Sequence, residues 1–157
     1  MPNNIILGLD PGINLVGFSF ITGPKKEPKI LDFGVLKTEP LPKEQMHLRL
    51  LEIAEDFESL LIKYKPSKAV VEDLFFFKNQ KTIIAVSQAR GMLLYLLAKH
   101  NVEVLSMTPL QLKQYLCGYG RATKKQVQFM VQKVYKLDSI PKPDDAADSL
   151  ALAWLGL

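Results

Sequence analysis

Two apolar runs in this chain each end in one acidic residue, and this feature most restricts how the chain can fold. The run ILGLD ends at Asp10 and is followed at once by Pro11 and Gly12, while the run AVVE ends at Glu72. Such runs predict strands, and a Pro-Gly pair turns the chain away from the strand end. Burying an unpaired carboxylate is costly, so both acids should lie at the end of a sheet, beside a cation.

A second pair of acids lies near the end of the chain. Asp145 and Asp148 are three residues apart in DDAADSLALA, so they share one face of a helix. Each acid also has a simpler interpretation when taken alone. Asp10 could cap a turn, Glu72 could be a surface acid, and the pair could be favourable charge at a helix N-terminus.

The conjunction of the four acids favours a metal site. Carboxylate oxygens without nearby cysteine or histidine suit Mg²⁺ or Mn²⁺ rather than zinc. Many enzymes that hydrolyse phosphodiesters use two such ions, so we predict a nuclease. Without an ion, carboxylates this close should raise one another's pKa.

Composition and charge distribution agree with a nucleic-acid enzyme. The 157 residues fit one domain, residues 1–157, and the net charge is +4. One cysteine and no signal-peptide or membrane-span pattern predict a cytoplasmic protein without membrane association. Residues 111–142 contain one acid, Asp138, against seven cations, which are Lys113, Arg121, Lys124, Lys125, Lys133, Lys136 and Lys142. This segment should face a polyanion.

The order of strand and helix patterns predicts an α/β fold. Strand patterns cover 4–10, 15–23, 29–37, 68–72 and 102–107, and helix patterns cover 43–64, 82–100, 109–117, 124–137 and 144–157. Three strands in a meander, followed by strands joined through helices, give a mixed five-stranded sheet with helices on both faces. A ribonuclease H-like architecture has this order.

Two helices carry more specific expectations. The apolar positions of the first helix predict its buried stripe, which comprises Leu48, Leu51, Ala54, Phe57, Leu60 and Leu61. In the second helix, Gly91 costs helix stability, which indicates close packing against another helix, within the molecule or across a dimer.

Five segments together resemble the RuvC family of Holliday junction resolvases, in order and along nearly the whole chain. They are LGLDPG, VVEDLFFFKN, SQARGMLL, TPLQLKQYLCGYGRATKKQVQFMV and DDAADSLALA. The resemblance implies that Asp10, Glu72, Asp145 and Asp148 are catalytic and hold two divalent ions, Mg²⁺ or, as the alternative, Mn²⁺. It also implies a homodimer that nicks two strands of like polarity in a four-way DNA junction, leaving 5′-phosphate and 3′-hydroxyl ends. The implied partners are the branch-migration proteins RuvA and RuvB.

The resemblance also implies roles for basic and aromatic residues. Lys113 and Lys124 match catalytic lysines near the scissile phosphate, and Phe75 matches an aromatic residue that stacks on bases near the crossover. The residues expected to contact DNA are Phe75, Lys78, Lys113, Arg121, Lys124 and Lys125. Alternatively, the lysines form a solvated helix face and the phenylalanine belongs to the core. The sequence does not distinguish Phe75 from Phe76 and Phe77 in this role.

Three other functions are compatible with parts of the pattern. An actin-like or sugar-kinase-like ATPase also opens with a strand, an acid and a glycine turn, but the chain is short for two lobes and no later glycine-rich phosphate loop follows. A catalytically silent junction-binding module would not need all four acids. A YqgF-type nuclease acting on RNA would share the fold and the metal chemistry, but the segment from Lys113 to Gln128 favours the DNA junction.

Overall fold

The structure is a computed structural model that describes residues 4–74 and 80–157. The strands are β1 (Ile6–Asp10), β2 (Leu15–Thr22), β3 (Lys29–Lys37), β4 (Lys68–Glu72) and β5 (Glu103–Met107). The helices are α1 (Met46–Tyr64), α2 (Gln80–Lys99), α3 (Pro109–Cys117), α4 (Lys124–Val134) and α5 (Asp144–Leu155). Within the described ranges, no helix is both long and apolar enough to cross a bilayer.

The strands form one mixed sheet in the order β3-β2-β1-β4-β5. The first three strands pair antiparallel, whereas β4 pairs parallel with β1 and β5 pairs parallel with β4. This confirms the predicted ribonuclease H-like α/β architecture. Leu9 pairs with Val71, so Asp10 and Glu72 end neighbouring strands at the same edge of the sheet.

A separate apolar core lies on each face of the sheet. On one face, α1 and α2 pack their buried side chains, such as Phe57 and Leu93, against Leu7, Leu9 and Phe20 of the sheet. On the other face, α3, α4 and α5 pack against Ile6, Ile21 and Val70. Alternate residues of a strand point to opposite faces, which is why residues 6 and 7 belong to different cores.

The predicted buried stripe of α1 is partly wrong. Leu48 and Leu51 are 44% and 53% exposed, while Arg49 is only 5% exposed. The buried positions of α1 are Arg49, Ile53, Phe57 and Leu61, which follow a four-residue spacing along the helix. Polar contacts made by Arg49, described below, turn this side of the helix inward.

Gly91 and several helix ends also differ from the predictions. Apart from the backbone of α2 itself, a Cβ atom on Gly91 would have no atom of the described residues within 4 Å. Of the two expected packing partners, the one within the molecule is therefore wrong, and the one across a dimer stays a prediction. The helix predicted from residue 43 begins at Met46, after a 3₁₀ turn at Lys43–Gln45. α4 ends at Val134 rather than at residue 137, and Lys136 adopts a left-handed conformation with φ of 54°.

Helix α5 lies directly on the backbone of β1 and β2. A Cβ atom on Gly8 would overlap the carbonyl oxygen of Ser149, and one on Gly17 would overlap the carbonyl oxygen of Asp145. The buried positions of α5 include the small residues Ala146, Ala147, Ser149, Ala151 and Ala153. Glycine is needed at both strand positions because the helix approaches more closely than any side chain permits. This contact fixes the start of α5 above the end of β1.

We predict that Gly17→Ala lowers the free energy of unfolding by about 2–4 kcal/mol, because the new methyl group must push the start of α5 away from β2. Urea denaturation measures the change. Gly34→Ala is the matched control on β3, since its Cβ would lie 3.4 Å from the Phe18 ring, an ordinary contact distance. We expect the control to change stability by less than about 1 kcal/mol. Equal losses in both variants would contradict the close-approach argument.

Candidate active site

The structure brings the predicted carboxylates to one end of the sheet. Asp10 ends β1, Glu72 ends the adjacent β4, and Asp145 and Asp148 lie in the first turns of α5. The carboxyl groups of Asp10 and Glu72 share a side-chain hydrogen bond, and the charges of Asp145 and Asp148 also act on Asp10. Two strand ends and one helix start thus supply a common acidic site.

Burial and mutual repulsion hold protons on this site. Asp10 is only 7% exposed. Its burial, followed by the charge of Glu72 and the hydrogen bond with Glu72, holds the pKa of Asp10 well above its usual range. Burial, followed by the charge of Glu72, raises the pKa of Asp148 to about 6, although Lys124 acts in the opposite direction. The expectation that these acids raise one another's pKa is confirmed for Asp10 and Asp148.

The chemistry of the donors fits a hard divalent cation. All four side chains offer carboxylate oxygens, the ligands that Mg²⁺ and Mn²⁺ prefer. Among residues 4–74 and 80–157, no three acidic, histidine or cysteine side chains are already arranged around a point where an ion could sit. Burial and the neighbouring negative charges raise the pKa of Asp10, so a bound divalent ion would have to compete with a proton there.

Both lysines that match catalytic positions line the same cleft as the acids. A cleft of about 170 Å³ is lined by Glu72, Pro109, Leu112, Lys113, Lys124, Val127 and Asp148. Thr108 caps α3 and Thr123 caps α4, each in a reciprocal hydrogen-bonded capping box with the glutamine three residues later. The caps fix where both helices begin, so Lys113 and Lys124 face the carboxylates across the cleft.

Asp144 is a contact of Lys124 that the sequence did not single out. Its carboxylate accepts from Lys124 Nζ at 2.8 Å and from Gln128 Nε2 at 3.0 Å. The hydrogen bond to Asp144, with smaller contributions from the neighbouring acids, raises the pKa of Lys124. Sequence spacing gave a weak signal, because Asp144 directly precedes the pair of predicted metal ligands.

The remaining predicted DNA contacts fall into two groups. Arg121 and Lys125 are exposed residues just before and at the start of α4, and they do not line the cleft. Phe75 and Lys78 lie outside the described residues, as do Phe76 and Phe77. The expectations for these six positions, including both cleft lysines, remain predictions about DNA binding.

Two arginines hold the backbone beside the strand-end acids. Arg90 of α2 donates from Nε to the Glu72 carbonyl oxygen at 3.2 Å and from Nη2 to Ser106 Oγ at 3.0 Å. It also forms an ion pair with Asp73 at 3.5 Å. Arg90 therefore joins the end of β4 to β5 and to the residue that follows Glu72. The motif QARG contained this residue, but its contacts depend on segments far away in sequence.

Arg49 holds the backbone of the loop that follows Asp10. Its Nη2 donates to the Ile13 carbonyl oxygen at 2.8 Å, to Asn14 Oδ1 at 2.9 Å and to Thr38 Oγ1 at 2.9 Å. All of these acceptors are neutral, and within the described residues no carboxylate pairs with Arg49. The buried guanidinium thus fixes the loop that leads from β1 to β2 by hydrogen bonds alone.

The fold and the acidic cleft together define a ribonuclease H-like nuclease. Residues 6–155 match the family model described as "Crossover junction endodeoxyribonuclease RuvC". The chain therefore belongs to the RuvC family, whose members are nucleases that depend on divalent metal ions.

Individual relatives agree with this assignment. The RuvC protein of Fusobacterium nucleatum is 47% identical over 148 residues, covering 94% of this chain and 76% of that protein. That of Natranaerobius thermophilus is 46% identical over 149 residues, covering 95% and 91%. The structure of Thermus thermophilus RuvC in complex with Holliday junction substrate superposes with a TM-score of 0.87 at 30% identity, covering 96% and 90% of the two chains.

We predict that Asp10→Asn makes the metal-free protein more stable at pH 8. A carboxyl group whose pKa is raised by folding stabilises the folded state fully below its unfolded pKa, about 4, and this contribution is lost as pH rises toward the folded pKa. The amide side chain of the variant needs no proton to be buried. The melting temperature of Asp10→Asn should therefore exceed that of the wild type by about 4–8 °C at pH 8 and by less at pH 5.

Thermal melts with and without Mg²⁺ test this prediction. Mg²⁺ should raise the melting temperature of the wild type and have a much smaller effect on Asp10→Asn, because a ligand that binds only the folded state stabilises it. The exposed substitution Asp138→Asn is the control and should behave as the wild type. If Asp10→Asn is less stable than the wild type at pH 8, the Asp10 carboxylate does not destabilise the folded protein and the prediction is wrong.

Proposed function

We propose that this chain resolves four-way DNA junctions by hydrolysing phosphodiester bonds, with Asp10, Glu72, Asp145 and Asp148 holding two divalent ions. The observation that carries the proposal is the single cleft in which Glu72 and Asp148 face Lys113 and Lys124, with the buried Asp10 bonded to Glu72. Membership of the RuvC family and the junction bound to the Thermus relative support the choice of substrate.

In the proposed reaction, the acidic residues of the cleft bind metal ions and the lysines bind the phosphate. Asp10, Glu72, Asp145 and Asp148 would hold Mg²⁺ or Mn²⁺, which when bound would activate a water molecule and stabilise the departing oxygen. Lys113 and Lys124 hold non-bridging oxygens of the scissile phosphate and stabilise the negative charge that develops there. Asp144 keeps the Lys124 ammonium at the rim of the cleft until the phosphate arrives. The products are a 5′-phosphate and a 3′-hydroxyl, which can be ligated.

Cleavage of a labelled synthetic four-way junction in Mg²⁺, beside linear duplex and an RNA stem, tests the proposal. We expect the wild type to nick the junction, Asp10→Asn to lose cleavage while still binding, and Lys124→Gln to cleave about 100-fold more slowly. The exposed variant Asp138→Asn should cleave as the wild type.

Other outcomes would overturn the proposal. Junction binding without nicking by the wild type would indicate a silent binding module. Preferential cleavage of the RNA stem would move the assignment to the YqgF-type nuclease.

Paired nicks need two active sites at a fixed separation, which a two-fold symmetric dimer provides. An exposed surface suited to this dimer runs along α2, where Ile84 and Tyr95 are 63% and 65% exposed. Gly91 lies between them with open space above it, so another backbone could approach. Leu48 and Leu51 of α1, which packs against α2, are further exposed apolar residues. We assign this α2 face to the homodimer.

We predict that Tyr95→Arg shifts the protein from dimer to monomer in sedimentation velocity and replaces paired nicks by single ones. An isologous interface contains every residue twice, so the substitution buries two charges without partners and opposes association. Leu31→Arg, at an exposed position of β3, is the control and should leave the dimer intact. A wild type that sediments as a monomer, or a Tyr95→Arg variant that remains dimeric, would contradict this assignment.

The cellular setting follows from the proposed substrate. Junctions in chromosomal DNA place the protein in the cytoplasm, and a chain with one cysteine needs no oxidising compartment. RuvA and RuvB, which would move the branch point, are the proposed partners on the basis of family membership.

A further inference from the structure

The outer face of α4 carries a basic and aromatic surface that the active-site cleft does not use. We call it the α4 strip, and it comprises Lys125, Phe129, Gln132, Lys133 and Lys136. Lys125, Phe129 and Lys133 follow one another at four-residue spacing, so they share one side of the helix. Val127 and Val131 are buried on the opposite side.

The strip is exposed and its charges are not neutralised. Phe129 is 59% exposed. A hollow of about 390 Å³ is lined by Phe129, Gln132, Lys133, Lys136 and Leu137, with no carboxylate in its lining. Within the described ranges, the ion pairs do not include Lys125, Lys133 or Lys136. A surface with three free cations around an apolar patch suits a polyanion that also offers apolar surface.

The strip is continuous with the cleft. Helix α4 begins at Lys124, which lines the cleft, and the strip begins at the next residue. From Lys125 to Lys133 the helix advances roughly 12 Å at about 1.5 Å per residue, and Lys136 follows just beyond the helix end. One strand of B-DNA presents a phosphate about every 3.4 Å along its axis, so the helical part of the strip could span about four phosphates. An acidic protein would match the charge, but not this continuity with the site of phosphate chemistry.

We propose that the α4 strip binds the sugar–phosphate backbone of one duplex arm of the junction, next to the arm's scissile phosphate. The three lysines contact phosphates, and Phe129 packs against deoxyribose rings between them. This inference rests on the proposed junction-cleaving function and adds a second contact region to it. The strip contributes affinity and register, whereas the cleft performs the hydrolysis.

The salt dependence of junction binding tests the proposal. The triple variant Lys125→Gln, Lys133→Gln, Lys136→Gln and the wild type are titrated with a labelled junction in EDTA, which prevents cleavage, over a range of salt concentrations. Each lost phosphate contact reduces the slope of log K against log salt by about 0.9, so we expect a slope shallower by roughly 2–3 and an affinity about tenfold lower at low salt.

A matched control separates the strip from a general loss of charge. The triple variant Lys26→Gln, Lys29→Gln, Lys63→Gln removes the same charge near the opposite end of the sheet, where Thr22 pairs with Lys29. It should keep the wild-type slope. Phe129→Ala should weaken binding about threefold without changing the slope, and Phe129→Leu should restore most of the loss. Thermal melts check that all variants remain folded.

The outcomes distinguish this inference from the function on which it rests. If the wild type binds and cleaves the junction while the strip variant keeps the wild-type slope, the strip proposal fails and the proposed function stands. Equal changes in slope for the strip and control variants would also overturn it. If the wild type does not bind the junction, both proposals fail.

Discussion

Repulsion among carboxylates gathered at one end of a buried sheet is the constraint on which the rest of this structure depends. Asp10 is almost fully buried beside Glu72, and the start of α5 adds two more acids. The free energy that this arrangement costs must come from the two apolar cores on either side of the sheet. In the proposed metal site, the same repulsion would favour a divalent over a monovalent cation, because the larger charge offsets more of the neighbouring negative charge.

Two arginines hold the backbone at and beyond the two strand ends, in addition to the apolar core that contains Leu9 and Val71. Arg90 binds the Glu72 carbonyl and Asp73, and Arg49 binds the loop that follows Asp10. A strand end has unpaired backbone groups and frays unless other contacts satisfy them. Each arginine forms several hydrogen bonds from one rigid, permanently charged group, which suits it to fixing such ends. With these contacts, Asp10 and Glu72 can repel each other without separating the ends of β1 and β4.

Much of this architecture could be predicted from local patterns, and the errors have definite physical causes. β3 and β4 match the predicted ranges, because turn residues and β-branched runs mark them. The buried side of α1 was predicted correctly at Phe57 and Leu61 but wrongly near the helix start, because periodicity counts Leu48 and Leu51 as core and Arg49 as surface. Arg49 is turned inward by acceptors that come from residues 13, 14 and 38. The acids were predicted from strand ends and from spacing on one helix face, and the cleft lysines from the resemblance to the RuvC family. The contacts of Asp144 and Arg90, in contrast, join separate segments of the chain.

The direct contact of α5 with the backbone of β1 and β2 has a consequence for how this protein can vary among species. Gly8 and Gly17 have no side chain, so the backbone of α5 contacts the backbone of β1 and β2 directly. This contact sets the distance between Asp10 and the two acids of α5. Substitutions among the large core residues can change packing on either face of the sheet without altering that separation. The cores can therefore accept many neutral substitutions. The two glycines, although they carry no functional group, cannot be replaced without changing the spacing of the acids.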